Sequence, residues 1–132
     1  MVAGYNLPMK VQFFDDPSRG PVPKEDVRFN RLGLFMHDDG QRVAVGFDVT
    51  PFRERPNIQV TLKNDDGKEA ASLNVIEAIY SNFNLTMHLR DEPAADHYEV
   101  EAILYYTSQD SMDRMVVDRV SKTLDTTQVG EQ

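Results

Sequence analysis

The sequence predicts an all-β chain folded as an antiparallel β-sandwich of seven or eight strands. Three observations carry that prediction. Apolar and polar residues alternate with a period of two along most of the chain, the pattern of strands with one face in a core and the other in water. Two Asp-Asp-Gly turns punctuate the alternation, and only one segment has a composition that suits a helix. With 132 residues and 15.1 kDa the chain has the size of one domain, spanning 1–132, able to bury a core without disulfides or metals.

Taken in order, Met9, Val11 and Phe13 mark a short first candidate strand, and Asp15 to Lys24, with three prolines, reads as a long crossing. Val27 through Met36 is the next strand. Asp38-Asp39-Gly40-Gln41 then supplies a glycine for positive φ and Asp side chains able to bond their own backbone, the requirements of a tight hairpin. The cleanest alternation follows in Arg42 to Thr50, where Val43, Val45, Phe47 and Val49 point one way and Arg42, Ala44, Gly46 and Asp48 the other. Pro51 to Pro56 should carry the chain to a second sheet, because proline cannot donate to a ladder.

Ile58, Val60 and Leu62 repeat the pattern, and Asp65-Asp66-Gly67-Lys68 makes a second hairpin. The segment 68–80 is rich in Ala and Glu but has no clean helix start or stop, so a strand is expected there. Phe83, Leu85, Met87 and Leu89 alternate with Asn84, Thr86, His88 and Arg90. Tyr98, Val100, Ala102, Leu104 and Tyr106 do the same against His97, Glu99 and Glu101. Met115 through Leu124 supplies the last strand, and the run from Leu124 to Gln132 loses its apolar period and is expected to fray, leaving an ordered core of about 5–125.

The segment Leu89 to Val100, Leu-Arg-Asp-Glu-Pro-Ala-Ala-Asp-His-Tyr-Glu-Val, resembles the tyrosine corner of immunoglobulin and fibronectin type III domains. There a Tyr at a strand start bonds backbone a few residues upstream, and a core residue follows two positions later. Tyr98 and Val100 hold those places. The resemblance covers about a dozen residues and implies an immunoglobulin-like architecture rather than a particular family; the absence of Cys and Trp sets the chain apart from antibody-type domains.

Composition narrows the function. Fourteen Lys and Arg against 22 Asp and Glu give a net charge of −8, which argues against nucleic acid and anionic membrane as partners. The most apolar run, Ala102 to Tyr106, is strand-sized, and the first ten residues lack the pattern of a secretory signal, so a cytoplasmic location is the default expectation. Zero cysteines exclude thiol chemistry. The three histidines, His37, His88 and His97, form no zinc signature; His88 and His97 read as solvated residues that would face each other if their strands were adjacent. Met36 and Met87 fall on the apolar phase and read as core. No nucleophile elbow, phosphate loop or dinucleotide fingerprint occurs, and no catalytic residue is assigned.

The expectation is therefore a non-catalytic binding or protein-interaction module, without cofactor, acting on a protein partner and existing as a monomer or weak homodimer. If successive strands run antiparallel, alternate loops share an end. One end would gather Asp38, Asp39, Asp65, Asp66, Asp91, Glu92 and Asp96, seven carboxylates on three loops. Such a set makes Ca²⁺ the alternative ligand, although the spaced Asp-x-Asp pairs of C2 domains are missing. The other end would present Phe52, Arg53 and Arg55, an apolar ring and two guanidinium groups held between prolines, as the protein contact.

Overall fold

The computed structural model describes residues 20–91, 93–108, 110 and 113–126, and the expected strand at Met9 to Phe13 lies outside them. After a short 3₁₀ turn at Lys24–Asp26, seven strands follow: β1 Phe29–Met36, β2 Arg42–Val49, β3 Asn57–Lys63, β4 Glu69–Val75, β5 Asn82–His88, β6 His97–Thr107 and β7 Arg114–Asp125. They form two antiparallel sheets, β1-β2-β5 and β4-β3-β6-β7, and so a β-sandwich.

Alternation sets the faces. In β2 the buried residues are Val43, Val45, Phe47 and Val49, and in β3 Ile58, Val60 and Leu62; with Tyr98, Val100, Ala102 and Leu104 of β6 they fill the space between the sheets. Met36 and Met87 are buried there as well. Both Asp-Asp-Gly turns are hairpins whose glycines take φ of 71° at Gly40 and 79° at Gly67. Their capping differs. Asp39 accepts hydrogen bonds from the backbone N–H of Gln41 and Arg42, whereas in the second turn Asn64, and neither aspartate, accepts from Asp66 and Lys68. The crossing at 51–56 does change sheets, from β2 to β3.

Several expectations are corrected. Only the first half of 68–80 is strand; β4 stops at Val75 and the chain then bends away. His88 and His97, both exposed, belong to different sheets and do not face each other across adjacent strands. A register shift against β7 falls between Leu104 and Tyr105, but Tyr105 keeps its register with Asn57 of β3 and is buried on the outer face beside Asn74 and Arg114, so three consecutive residues are buried where strict alternation expects two. Tyr105 then donates to Asn74 Oδ1 at 2.9 Å, and the Arg114 guanidinium lies 4.2 Å from its ring centroid. Leu124, expected as the last residue of the final strand, is buried in β7, and Thr126 after it donates to the Ala95 carbonyl.

Candidate interaction surface

The strand order sends alternate loops to opposite ends, as expected. At one end Leu89 N–H donates to the Gln41 carbonyl, and Asn64 Nδ2 to Asp91 Oδ2, bringing together the β1–β2, β3–β4 and β5–β6 connections. Two of the carboxylates there, Asp39 and Asp91, are engaged in holding the loops. Asp39 Oδ1 is held by two backbone amides and Oδ2 by Arg42 Nε at 2.6 Å. The Gln41 backbone bond first, and the Arg42 side chain after it, lower its pKa to about 2. Because the folded value lies below the ordinary one, this contribution to stability is complete above the ordinary carboxylate range and is lost as pH falls through about 2. The Asp39 carboxyl should accordingly titrate near pH 2 when followed by NMR, and Arg42→Ala should move its midpoint upward.

Asp91 Oδ2 accepts from both Asn64 and the Tyr98 hydroxyl. Asp38, Asp65, Asp66 and Asp96 are exposed, and Glu92 lies outside the described residues. Among the described residues no group of three or more His, Asp or Glu side chains is placed to hold a metal ion.

At the opposite end the 51–56 loop is tied on every side. Val22 N–H donates to the Pro51 carbonyl at 3.0 Å and Arg53 N–H to the Val22 carbonyl at 3.1 Å, a parallel bridge flanking Phe52. The buried Tyr106 hydroxyl donates to the Glu54 carbonyl at 2.8 Å. Burial, reinforced by Glu54 and Glu25, pushes that hydroxyl up to about 12, so it remains a donor throughout the neutral range. Phe52 is half-buried against the core. Arg53 and Arg55 are exposed; Arg53 Nε reaches the Pro21 carbonyl at 3.1 Å, and Arg55 makes no hydrogen bond or ion pair among the described residues.

Sequence reasoning placed the β4–β5 connection at this end without recognising its surface. Ala78 is buried and its N–H donates to the Pro56 carbonyl at 2.8 Å, while the nearly buried Asn57 accepts from Glu77 N–H at 2.8 Å. These two bonds dock the connection onto the arginine loop and hold Glu77 at φ 51°, a left-handed conformation that costs a non-glycine residue about 1–2 kcal/mol. With Ala78 as the anchor, the residues around it point outward: Ile76, Ile79 and Tyr80 are 64%, 66% and 67% exposed. The available signal was a run of Ile-Glu-Ala-Ile-Tyr continuing past the point where strand alternation fails.

A surface cavity of about 580 Å³ is lined by residues of β1, β2, β5 and β7, and Gly33 and Gly46, paired side by side, leave a trough in it. Its charges are satisfied internally: Arg31 pairs with Asp48 at 3.2 Å and Lys122 Nζ donates to the Leu32 carbonyl. The loop end, with a guanidinium unpaired among the described residues and exposed apolar side chains, is the surface better suited to a contact.

No protein-family model matches the chain, and no curated protein does. Among solved structures it is similar to part of an FMN-binding β-glucuronidase from Facaelibacterium prausnitzii L2-6, at 13% identity and a TM-score of 0.47, over 76% of this chain and 16% of that one. A glycosyl hydrolase family 2 member from Bacteroides cellulosilyticus DSM 14838 gives 10% identity and a TM-score of 0.47, over 76% and 15%. The Ruminococcus gnavus β-glucuronidase gives 14% and 0.43, over 76% and 16%. The chain thus spans about one sixth of the length of these enzymes.

Proposed function

We propose that this chain is a non-catalytic protein-interaction module on an immunoglobulin-like β-sandwich, binding its partner through the end formed by the 51–56 and 76–80 loops. The architecture is supported by the two antiparallel sheets and by the Tyr98 hydroxyl, which accepts from Ala95 N–H at 2.9 Å as a tyrosine corner requires. The fourth strand pairs with the third here, whereas in constant-type immunoglobulin domains it joins the sheet of the fifth.

The binding surface rests on one observation: three large apolar side chains stand about two-thirds exposed on a connection pinned to a proline-bounded loop that carries Arg53 and Arg55. Uncovered apolar groups beside guanidinium groups on a stiff backbone lose little entropy on binding, and Tyr and Arg are the residue types that dominate contact energy. The matching partner surface presents a carboxylate next to an apolar side chain.

The immobilised protein should retain its partner from an extract of the cells that make it. Arg53→Glu combined with Arg55→Glu, and separately Ile79→Asp combined with Tyr80→Asp, should each weaken retention at least about tenfold, the scale of one lost contact hot spot. Their melting temperatures should stay near the parent's, since all four side chains are exposed. Asp65→Lys with Asp66→Lys, at the far end, should leave retention unchanged. Equal retention by the parent and both loop variants refutes this surface.

A further inference from the structure

Among the described residues the sandwich has four edge strands, and three of them are guarded. Phe29 N–H of β1 is taken by Asp118 Oδ2 of β7 at 2.9 Å, and Lys122 Nζ reaches the Leu32 carbonyl, closing the seam between β1 and β7. Strand β7 also carries Arg114, Asp118, Arg119 and Lys122 and faces a register shift. Strand β4 starts at Glu69, next to the register shift of the β3–β4 pair. Charges, bulges and covering side chains are the means by which natural sheets keep their edges from pairing. Strand β5, Asn82-Phe-Asn-Leu-Thr-Met-His88, has none: no charged residue, no proline, and an unbroken register to β2. Its Asn84 side chain turns back over Gly46, where a Cβ would come within 2.9 Å of Oδ1, and so leaves the edge uncovered among the described residues.

The direction of the free backbone groups follows from the flanking bonds. Val49 N–H donates to the Ser81 carbonyl at 2.7 Å and Leu89 N–H to the Gln41 carbonyl at 2.8 Å. Hydrogen-bonded pairs alternate along an antiparallel ladder, so Phe83, Leu85 and Met87 bond β2, and Asn82, Asn84, Thr86 and His88 aim their N–H and C=O outward. Leu85 is the middle residue of the strand. It shares the inner face with buried Val45, yet is 37% exposed because no strand among the described residues lies beyond it.

We propose that β5 is a self-pairing edge, on which a second copy of this chain adds its own β5 antiparallel about a two-fold axis at Leu85, joining two three-stranded sheets into one of six. The strand complements itself in that register. Leu85 meets Leu85 of the second copy as a close pair without hydrogen bonds, and Phe83 meets Met87 on the same apolar face. On the outer face Asn84 meets Thr86 and Asn82 meets His88, all in hydrogen-bonding positions, so the ladder gains roughly eight bonds. No formally like charges are placed opposite each other. Shifting the register by one residue turns apolar side chains against polar ones, which is why this pairing excludes its neighbours. A two-fold contact of this kind closes on itself and does not extend into fibres.

The test is sedimentation velocity of the full chain across a dilution series. The parent should reach twice the 15.1 kDa chain mass at concentrations up to about 100 μM. Thr86→Pro deletes an outward N–H without touching the β2 ladder, a position where an edge strand accepts proline, and should weaken the dimer at least tenfold while keeping the parent's circular dichroism. Should that variant fail to fold, Leu85→Lys, which sets two ammonium groups against each other on the axis, carries the test. Arg53→Glu with Arg55→Glu should dimerise as the parent does, which separates this contact from the loop surface. A parent that stays monomeric, a folded Thr86→Pro or Leu85→Lys that dimerises like the parent, or a dimer lost with the loop arginines overturns the proposal.

Discussion

Phe47→Ala should be the most damaging single core truncation in the three-stranded sheet, lowering stability by about 3–5 kcal/mol. Phe47 sits in the middle of that sheet, on the central strand β2, and is 1% exposed. Its ring stacks on Phe83 with centroids 4.8 Å apart and planes 26° off parallel. Removing the ring forfeits its burial and leaves a cavity that β1 on one side and β5 on the other cannot close, since both are already in register with β2. For a domain of this size the loss lowers the melting temperature by roughly 10–20 °C. Phe83→Ala should cost much less, because Phe83 is only half-buried at the sheet edge. The pair should couple by about 0.5–1.5 kcal/mol in a double-mutant cycle read by urea unfolding. Equal costs for Phe47→Ala and Phe83→Ala would show that the shared ring contact, and not burial, dominates this part of the core.

Phe47 also illustrates what the sequence makes legible. Period-two alternation is a direct consequence of strand geometry, so every strand that alternates cleanly, β2, β3, β5 and most of β6, is found where the residues place it. Turn chemistry is equally local, and Gly40 and Gly67 both take the positive φ their positions require. What escapes is whatever depends on a partner distant in the chain. The burial of Tyr105 comes from Asn74 and Arg114 covering it on the outer face, and the capping role of Asn64 from the way that hairpin closes. His88 and His97 are assigned to different sheets by the crossover that puts β5 beside β2. The exposed Ile76, Ile79 and Tyr80 are invisible for the same reason. An apolar run reads as buried strand until Asn57 and Pro56, twenty residues earlier, are seen to hold its backbone outward.

The Tyr98 hydroxyl makes the second large prediction, and it separates two roles for one ring. Tyr98 is 1% exposed, and its hydroxyl accepts from Ala95 N–H at 2.9 Å while donating to Asp91 Oδ2 at 2.9 Å. Burial, with the Asp91 carboxylate beside it, raises the hydroxyl above its ordinary pKa, which keeps the proton in place for that donation. If Tyr98 were only the first core residue of β6, Tyr98→Phe would preserve the packing and cost nearly nothing. The hydrogen bonds predict otherwise. Phenylalanine leaves the Ala95 amide without an acceptor, and of the Asp91 bonds only the longer one from Asn64 Nδ2, at 3.3 Å, survives. Stranding a part-buried donor and weakening a carboxylate's shell costs about 1–3 kcal/mol. The loss should be local as well as global: amide exchange at Ala95 should quicken more than exchange in β2 or β3, because the hydroxyl is what fixes the β5–β6 connection to the strand that follows it. A urea midpoint within error of the parent's, with unchanged Ala95 protection, would reduce Tyr98 to packing alone and remove the main local support for the immunoglobulin-like reading.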